Sequence, residues 1–350
     1  MTRHRPTRRR SSRLVLLAAA AAVSLALGAC SSGSSSDASD SGATTQVNYQ
    51  LSWLKITQFG GFFAGDKEGF YGDEGITPTF TAGGSNILAW QQVTGGKALL
   101  GDEDNTLLLQ AIAKGEDLVA IGAVFQKSPM AIISRADDPI TSVDDLEGKT
   151  IAYPDNGVDQ LKSALKADGV DVSTIDFVPA GTDPTQLVTK QVDGYGGYST
   201  SQGASLALQG VDVDYLYLDD IGVPSYGNVI MTTRENLDQH RDEIERFMKA
   251  TVEGYEWMNA HPADAAKLVV DDVNPTGGLD LKTETETAKI QADLIESPTG
   301  VLRITVAKMQ KVINSLVASG TLSKKLSAAD LVDTSVLDDV YGKKTSLLSK

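Results

Sequence analysis

The sequence predicts an α/β protein of two lobes, each a helix-flanked and mostly parallel sheet. Three observations lead there. A chain of 350 residues is longer than one core comfortably serves, so two domains are expected. Short apolar runs alternate with segments of helical period, as in parallel sheets covered on both faces. Finally, two similar extended runs, MAIISR at 130–135 and VIMTTR at 229–234, bracket one α/β unit. A chain that leaves a first lobe and returns to it needs two such crossings, which would form the hinge. Lobe 1 is therefore expected over 46–134 and 233–350, and lobe 2 over 135–232. The alternative treats both runs as ordinary core strands of one sheet.

The amino terminus has a different character from the body. Residues 1–29 carry six arginines, no acid, and an apolar run over 14–27 that is short for a bilayer span. That is the pattern of a signal peptide. The run ends in Leu27-Gly28-Ala29-Cys30, which resembles the bacterial lipobox. The resemblance implies cleavage before Cys30 and acylation of its thiol, with the general secretory route favoured over twin-arginine export. Ordinary secretory cleavage with a free thiol is the alternative. Cys30 is the sole cysteine, so an internal disulfide is excluded. Residues 30–45, rich in Ser and Gly, read as a flexible tether between a membrane anchor and a folded body. An extracytoplasmic lipoprotein is expected.

The body opens with a strand at 47–51, a turn carrying Trp53, a small-residue helix at 59–68 closed by Gly69, and a strand at 76–81. Helices at 87–93 and 106–114 then alternate with strands at 98–101 and 118–124. The second unit begins where Ser142 caps a short helix ended by Gly148. Strands follow at 150–152, 175–178, near Tyr195, and at 213–218, separated by helices at 158–167, 185–191 and 201–209. From Arg241 the chain is helical, with Ile244, Phe247, Met248, Val252, Tyr255 and Met258 on one face as a packing stripe. Later helices at 283–296 and 305–319 are expected to buttress lobe 1.

Open α/β sheets bind ligands at the carboxyl ends of their strands, and the candidate site residues fall there. Trp53 and Phe59 follow the first strand. Gly84, Ser85 and Asn86 form a turn that can present backbone N–H groups and a hydroxyl. Glu103 and Asn105 belong to an acidic turn that would accept hydrogen bonds from a ligand amino group or merely cap the next helix. Tyr153, Tyr195, Tyr198 and Tyr226 lie at strand ends or turns, where they would stack on a flat ring or pack a core. The glycines of Gly194-Tyr195-Gly196-Gly197-Tyr198 are expected to allow close approach to a ligand.

The stretches Gly60-Gly61-Phe62-Phe63-Ala64, Gly69-Phe70-Tyr71, Glu74-Gly75-Ile76 and Gly83-Gly84-Ser85-Asn86 are similar to those of ABC-importer solute-binding proteins. Within them the chain most resembles the group sharing its fold with thiamine-pyrimidine synthase and the aliphatic sulfonate binders. The likeness extends through 120–135, 142–151 and 224–233. It implies a type II periplasmic-binding-protein-like fold, a permease partner, and a flat heteroaromatic solute such as a thiamine-precursor pyrimidine or riboflavin. A sulfonate or related anion is the alternative. In the pyrimidine-binding relatives the stretch matching 198–203 carries an aromatic, then an acidic residue followed by Pro; here Gln202 stands where the carboxylate is expected.

Without the six leader arginines, 25 basic residues face 46 acidic ones, a net charge near −21. That opposes nucleic-acid binding. The two histidines of the body, His240 and His261, lie far from metal-ligand spacing, so neither metal nor cofactor is expected. No nucleophile elbow or phosphate loop occurs. The synthase that shares the fold uses a cysteine-rich motif and an active-site histidine, which this chain lacks, so a monomeric binder rather than an enzyme is expected. Only Lys55 and Lys127 fall in expected cleft turns, which favours the heteroaromatic over an anion.

Overall fold

Branched and aromatic runs form ten strands in the computed structural model, which describes residues 44–154, 157–181 and 183–348. The leader, Cys30 and all but the last two residues of the tether lie outside the described residues. The strands are β1 (Thr45–Gln50), β2 (Ile76–Thr81), β3 (Leu100–Glu103), β4 (Leu118–Phe125), β5 (Met130–Arg135), β6 (Thr150–Tyr153), β7 (Asp176–Pro179), β8 (Gly194–Tyr198), β9 (Val213–Tyr217) and β10 (Gly227–Thr233). The helices around β1 to β4 are α1 (Gly60–Lys67), α2 (Phe70–Asp73), α3 (Ala89–Thr94) and α4 (Asn105–Ala113). Among β5 to β9 lie α5 (Val158–Ala167), α6 (Thr185–Val188) and α7 (Ala204–Leu208). After β10 come α8 (Arg234–Gln239), α9 (Arg241–Ala260), α10 (Pro262–Leu268), α11 (Leu281–Ile295), α12 (Val306–Ala318) and α13 (Ser335–Tyr341).

Two five-stranded mixed sheets result, with matching orders β2-β1-β3-β10-β4 and β7-β6-β8-β5-β9. In the first, β1 runs parallel to β2 and β3 while β10 is antiparallel to β3 and β4. In the second, β6 runs parallel to β7 and β8 while β5 is antiparallel to β8 and β9. The antiparallel strand of each sheet is the one that has just arrived from the other. This places the two extended runs differently from the expectation. Met130–Arg135 already belongs to the second sheet and Gly227–Thr233 already belongs to the first. The chain therefore changes sheets over 126–129 and 218–226, because each run's hydrogen-bonding partners lie in the sheet it enters.

Helices cover both faces of the first sheet. On one side Tyr49, Phe62, Phe247 and Tyr255 form a buried aromatic core, with Tyr49 stacked on Phe247 at 5.6 Å between ring centres. Here α1 and α9 touch backbone to backbone: a Cβ on Gly254 would lie 2.2 Å from the Gly61 carbonyl oxygen. The other side packs α3, α4 and α12 through Leu108, Leu109, Met309 and Ile313. As the periodicity predicted, the α9 stripe from Ile244 to Met258 is wholly buried.

Candidate ligand-binding site

The strand ends of the first sheet open onto a cavity of about 560 Å³ between the two sheets. Ser52 and Trp53 follow β1, Gly84 and Ser85 follow β2, Glu103 ends β3 with Asp104 next to it, and Phe125 ends β4. Tyr198, Thr200 and Ser201 face them from the end of β8, and Ser128, Pro129, Ser225 and Tyr226 come from the two sheet-changing segments. Helix α11 adds Thr287 and Gln291, and the Thr287 hydroxyl donates to the Thr200 carbonyl at 2.8 Å, tying α11 to the second sheet.

Buried polar groups organise the first-sheet side. Asp102 is fully buried beside the cavity and accepts from the Ser52 hydroxyl at 2.5 Å and from Asn228 Nδ2 at 2.6 Å. Asn228 Nδ2 also donates to Ser52 Oγ at 2.9 Å, and Asn228 Oδ1 accepts from Gln58 Nε2 at 2.7 Å. Burial pushes the Asp102 carboxyl up to about 6, against the lowering effect of these donors. Glu103 is raised to about 7, again chiefly by burial, although backbone N–H groups of Trp90, Asp104 and Ala89 favour its charged form and Asp102 opposes it. Its carboxylate caps α3 by accepting from Ala89 N at 2.9 Å, while Asp104 caps α4 by accepting from Thr106 N at 2.8 Å. No Lys, Arg or His lines the cavity among the described residues. Lys127 instead pairs with Asp220 at 2.7 Å, and Lys55 is outside the lining.

Of the residues singled out from sequence, Trp53, Gly84, Ser85, Glu103, Tyr198 and Tyr226 line the cavity. Trp53 and Tyr198 are 41% and 50% exposed, unusual for large rings and in keeping with open faces. The others lie elsewhere. Phe59 is wholly buried in the first-sheet core. Asn86 is exposed and outside the lining. Asn105 is buried behind the cavity, where its Oδ1 accepts from the Ser225 hydroxyl at 3.0 Å and Tyr226 N at 3.1 Å, holding the return segment. Tyr153 and Tyr195 are buried in the second-sheet cores, and the Tyr195 hydroxyl donates to the Gly181 carbonyl. Gln202 Oε1 accepts from Tyr198 N at 2.9 Å and braces the turn. The glycines around Tyr195 also serve packing: a Cβ on Gly196 would lie 2.2 Å from the Tyr153 ring.

Sequence reasoning missed Ser52, Gln58, Asn228 and Gln291. Asn228 carried a signal, since it sits in the family-like run 224–233; in the structure it holds the left-handed φ of 50° that Asn tolerates. Ser52 adjoins Trp53 in the turn already singled out. Gln291 carried none, being one polar position on a packing helix.

Comparison with known proteins places this architecture. A family model described as NMT1/THI5 like matches residues 56–265. The formylaminopyrimidine-binding protein of Halalkalibacterium halodurans is 24% identical over 269 residues, 75% of this chain and 82% of that protein. The riboflavin-binding protein RibY of Chloroflexus aurantiacus is 26% identical over 230 residues, 64% of this chain and 65% of that protein. Among solved structures, the periplasmic aliphatic sulphonate binding protein SsuA of Escherichia coli superposes with a TM-score of 0.60 at 17% identity, covering 82% of this chain and 96% of that one. The desulfurization enzyme DSZB has the same fold, with a TM-score of 0.57 at 14% identity over 85% of this chain and 99% of that one. The chain belongs to the NMT1/THI5-like family.

Proposed function

We propose that this NMT1/THI5-like protein is the solute-binding component of an ABC importer, held outside the cytoplasm by a lipid on Cys30. It captures a small flat heteroaromatic solute, of the thiamine-precursor pyrimidine or riboflavin kind, between two lobes that exchange chain at 126–129 and 218–226. Ligand touching both lobes stabilises the closed form that a permease would recognise.

One observation carries the reading: the cavity combines exposed ring faces of Trp53 and Tyr198 with the carboxylates of Glu103 and Asp104 and has no cationic side chain in its described lining. Its size suits a small ligand. The names of the two curated relatives support the same solute class. A sulfonate is the second reading, favoured by the likeness to SsuA; an anion in an acidic cavity without Lys or Arg would lack a charge partner. The fold also carries catalysis in DSZB. Binding is favoured over turnover here because the buried Glu103 and Asp102 carboxylates are already engaged in capping α3 and in holding Ser52 and Asn228.

The test is a thermal-shift and native mass-spectrometry screen of the mature protein with pyrimidines, riboflavin and sulfonates. A ligand at a hundred times its Kd adds about 2.7 kcal/mol, a shift of several degrees. A heteroaromatic hit that is lost in Trp53→Ala and Tyr198→Ala is the expected result. A hit on sulfonates alone sinks the heteroaromatic reading, and release of an altered product sinks the binding reading.

A further inference from the structure

The cavity contains two glutamines whose amide orientation is fixed from behind. An ionised carboxylate only accepts hydrogen bonds. Asp102 therefore requires Asn228 to turn its NH₂ group inward, and Ser52 Oγ, whose O–H donates a hydrogen bond to Asp102, accepts from the same NH₂ group. This leaves Asn228 Oδ1 toward Gln58, which must answer with its NH₂ group at 2.7 Å. The carbonyl oxygen of Gln58 remains as the end of the relay, on a residue that lines the cavity.

Gln291 reaches the same state by a separate route. Its NH₂ group donates to the Thr57 carbonyl at 2.9 Å, an acceptor that admits only a donor. Its Oε1 has no hydrogen-bond partner although the residue is wholly buried in the cavity lining. A buried polar atom without a partner is costly unless a ligand supplies one. Positions 57 and 58 are adjacent, so both fixed amides surround the same turn.

We propose that buried Asp102, acting through Asn228 as a positioning residue, fixes the polarity of the cavity so that Gln58, with Gln291 beside it, presents acceptors to the ligand. The solute selected is one whose edge is rich in hydrogen-bond donors, an amino-bearing ring rather than its oxo counterpart. This rests on the solute-binding reading and narrows it. An oxo edge would set acceptor against acceptor, and discrimination of about tenfold or more is expected where a site must leave a polar group unpaired.

The experiment is calorimetric titration of the mature protein with two matched pairs of probes. The first is 4-amino-5-hydroxymethyl-2-methylpyrimidine with its 4-oxo counterpart, and the second is propylammonium with propanesulfonate. The wild-type protein is expected to bind the amino ring at least about tenfold tighter than the oxo ring. Asn228→Gly suits the left-handed backbone and removes the relay; it is expected to bring the ratio to within about threefold, a readout that a purely structural role would not move. Gln58→Leu, at a partly exposed site away from the strands, should do the same and serves if the first variant is unfolded by circular dichroism. A ratio that stays unchanged while both affinities fall overturns the proposal, as does preference for the oxo ring or for propanesulfonate. If neither ring binds but propylammonium is preferred over propanesulfonate and Gln58→Leu abolishes that preference, the heteroaromatic reading fails and the relay stands; a preference that Gln58→Leu leaves intact belongs to Glu103 and Asp104 and overturns the relay. Binding of no probe at millimolar concentration overturns both.

Discussion

The two sheets share one strand order and one pattern of directions, yet they contribute unequally to the cavity. The strands of the first sheet bury five polar side chains, Gln50, Asp102, Glu103, Asn228 and Thr232, whereas those of the second bury Ser134 alone among the described residues. At the first sheet the strand ends hold a carboxylate network around Ser52 and Asn228. At the equivalent ends of the second, Tyr153 turns into the core over Gly196, and Tyr198 is the ring left open. Shared topology thus fixes where a ligand can sit. The buried polarity comes from the first sheet because its polar groups find partners there, whereas open rings come from both sides, Trp53 after β1 and Tyr198 at the end of β8.

The largest test of this contrast compares Asn228→Leu with Ser134→Ala. The first strips a donor from buried Asp102 and places a branched side chain at a φ of 50°, so a loss of about 3 kcal/mol or more is expected in urea unfolding. Ser134 Oγ accepts one hydrogen bond from Ile140 N, and its removal should cost about 1 kcal/mol. Equal losses would show that the two sheets are not energetically different.

The next effect is on pH. Asp102 titrates at about 6 in the folded protein against an ordinary 3.8, so the folded state holds its proton more tightly. The stability this gives is complete below about pH 4, falls as pH rises toward 6, and is gone above that, a change on the order of 2 kcal/mol. Glu103, raised to about 7, acts in the same direction and extends the fall to that pH. Exposed Asp137 and part-buried Asp145, held below the usual range chiefly by hydrogen bonds from Lys190 and from Thr141 N, act oppositely and only in strong acid. Unfolding measured from pH 4 to 8 should flatten in Asp102→Asn; a slope that survives intact would place the polarity elsewhere.

Gly196→Ala probes the second sheet, where the new methyl group would meet the Tyr153 ring. Because a ring can shift where a backbone cannot, about 1–2 kcal/mol of destabilisation is expected, with ligand discrimination unchanged. The smallest effect belongs to the tie between the regions. Thr287→Val removes one hydrogen bond to the Thr200 carbonyl and should cost about 1 kcal/mol or less, seen as a small loss of thermal stability.

By itself the sequence determined the elements and the strand-end turns that open onto the cavity. Alternating apolar runs, helix-period stripes and strand-end turns depend on contacts a few residues apart, so β1, β4 and the α9 face could be read directly, as could Trp53, Ser85, Glu103, Tyr198 and Tyr226. Tertiary structure decided which sheet β5 and β10 join, since that depends on partners as far apart as Gly101 and Met231, 130 residues along the chain. It also decided that Tyr153, Tyr195 and Phe59 fill cores while Ser52, Gln58, Asn228 and Gln291 meet around the cavity. The same aromatic or amide can pack or bind, and its surroundings choose between the two. Positions 52, 102 and 228 become one network only when β1, β3 and β10 lie side by side, which no local pattern encodes.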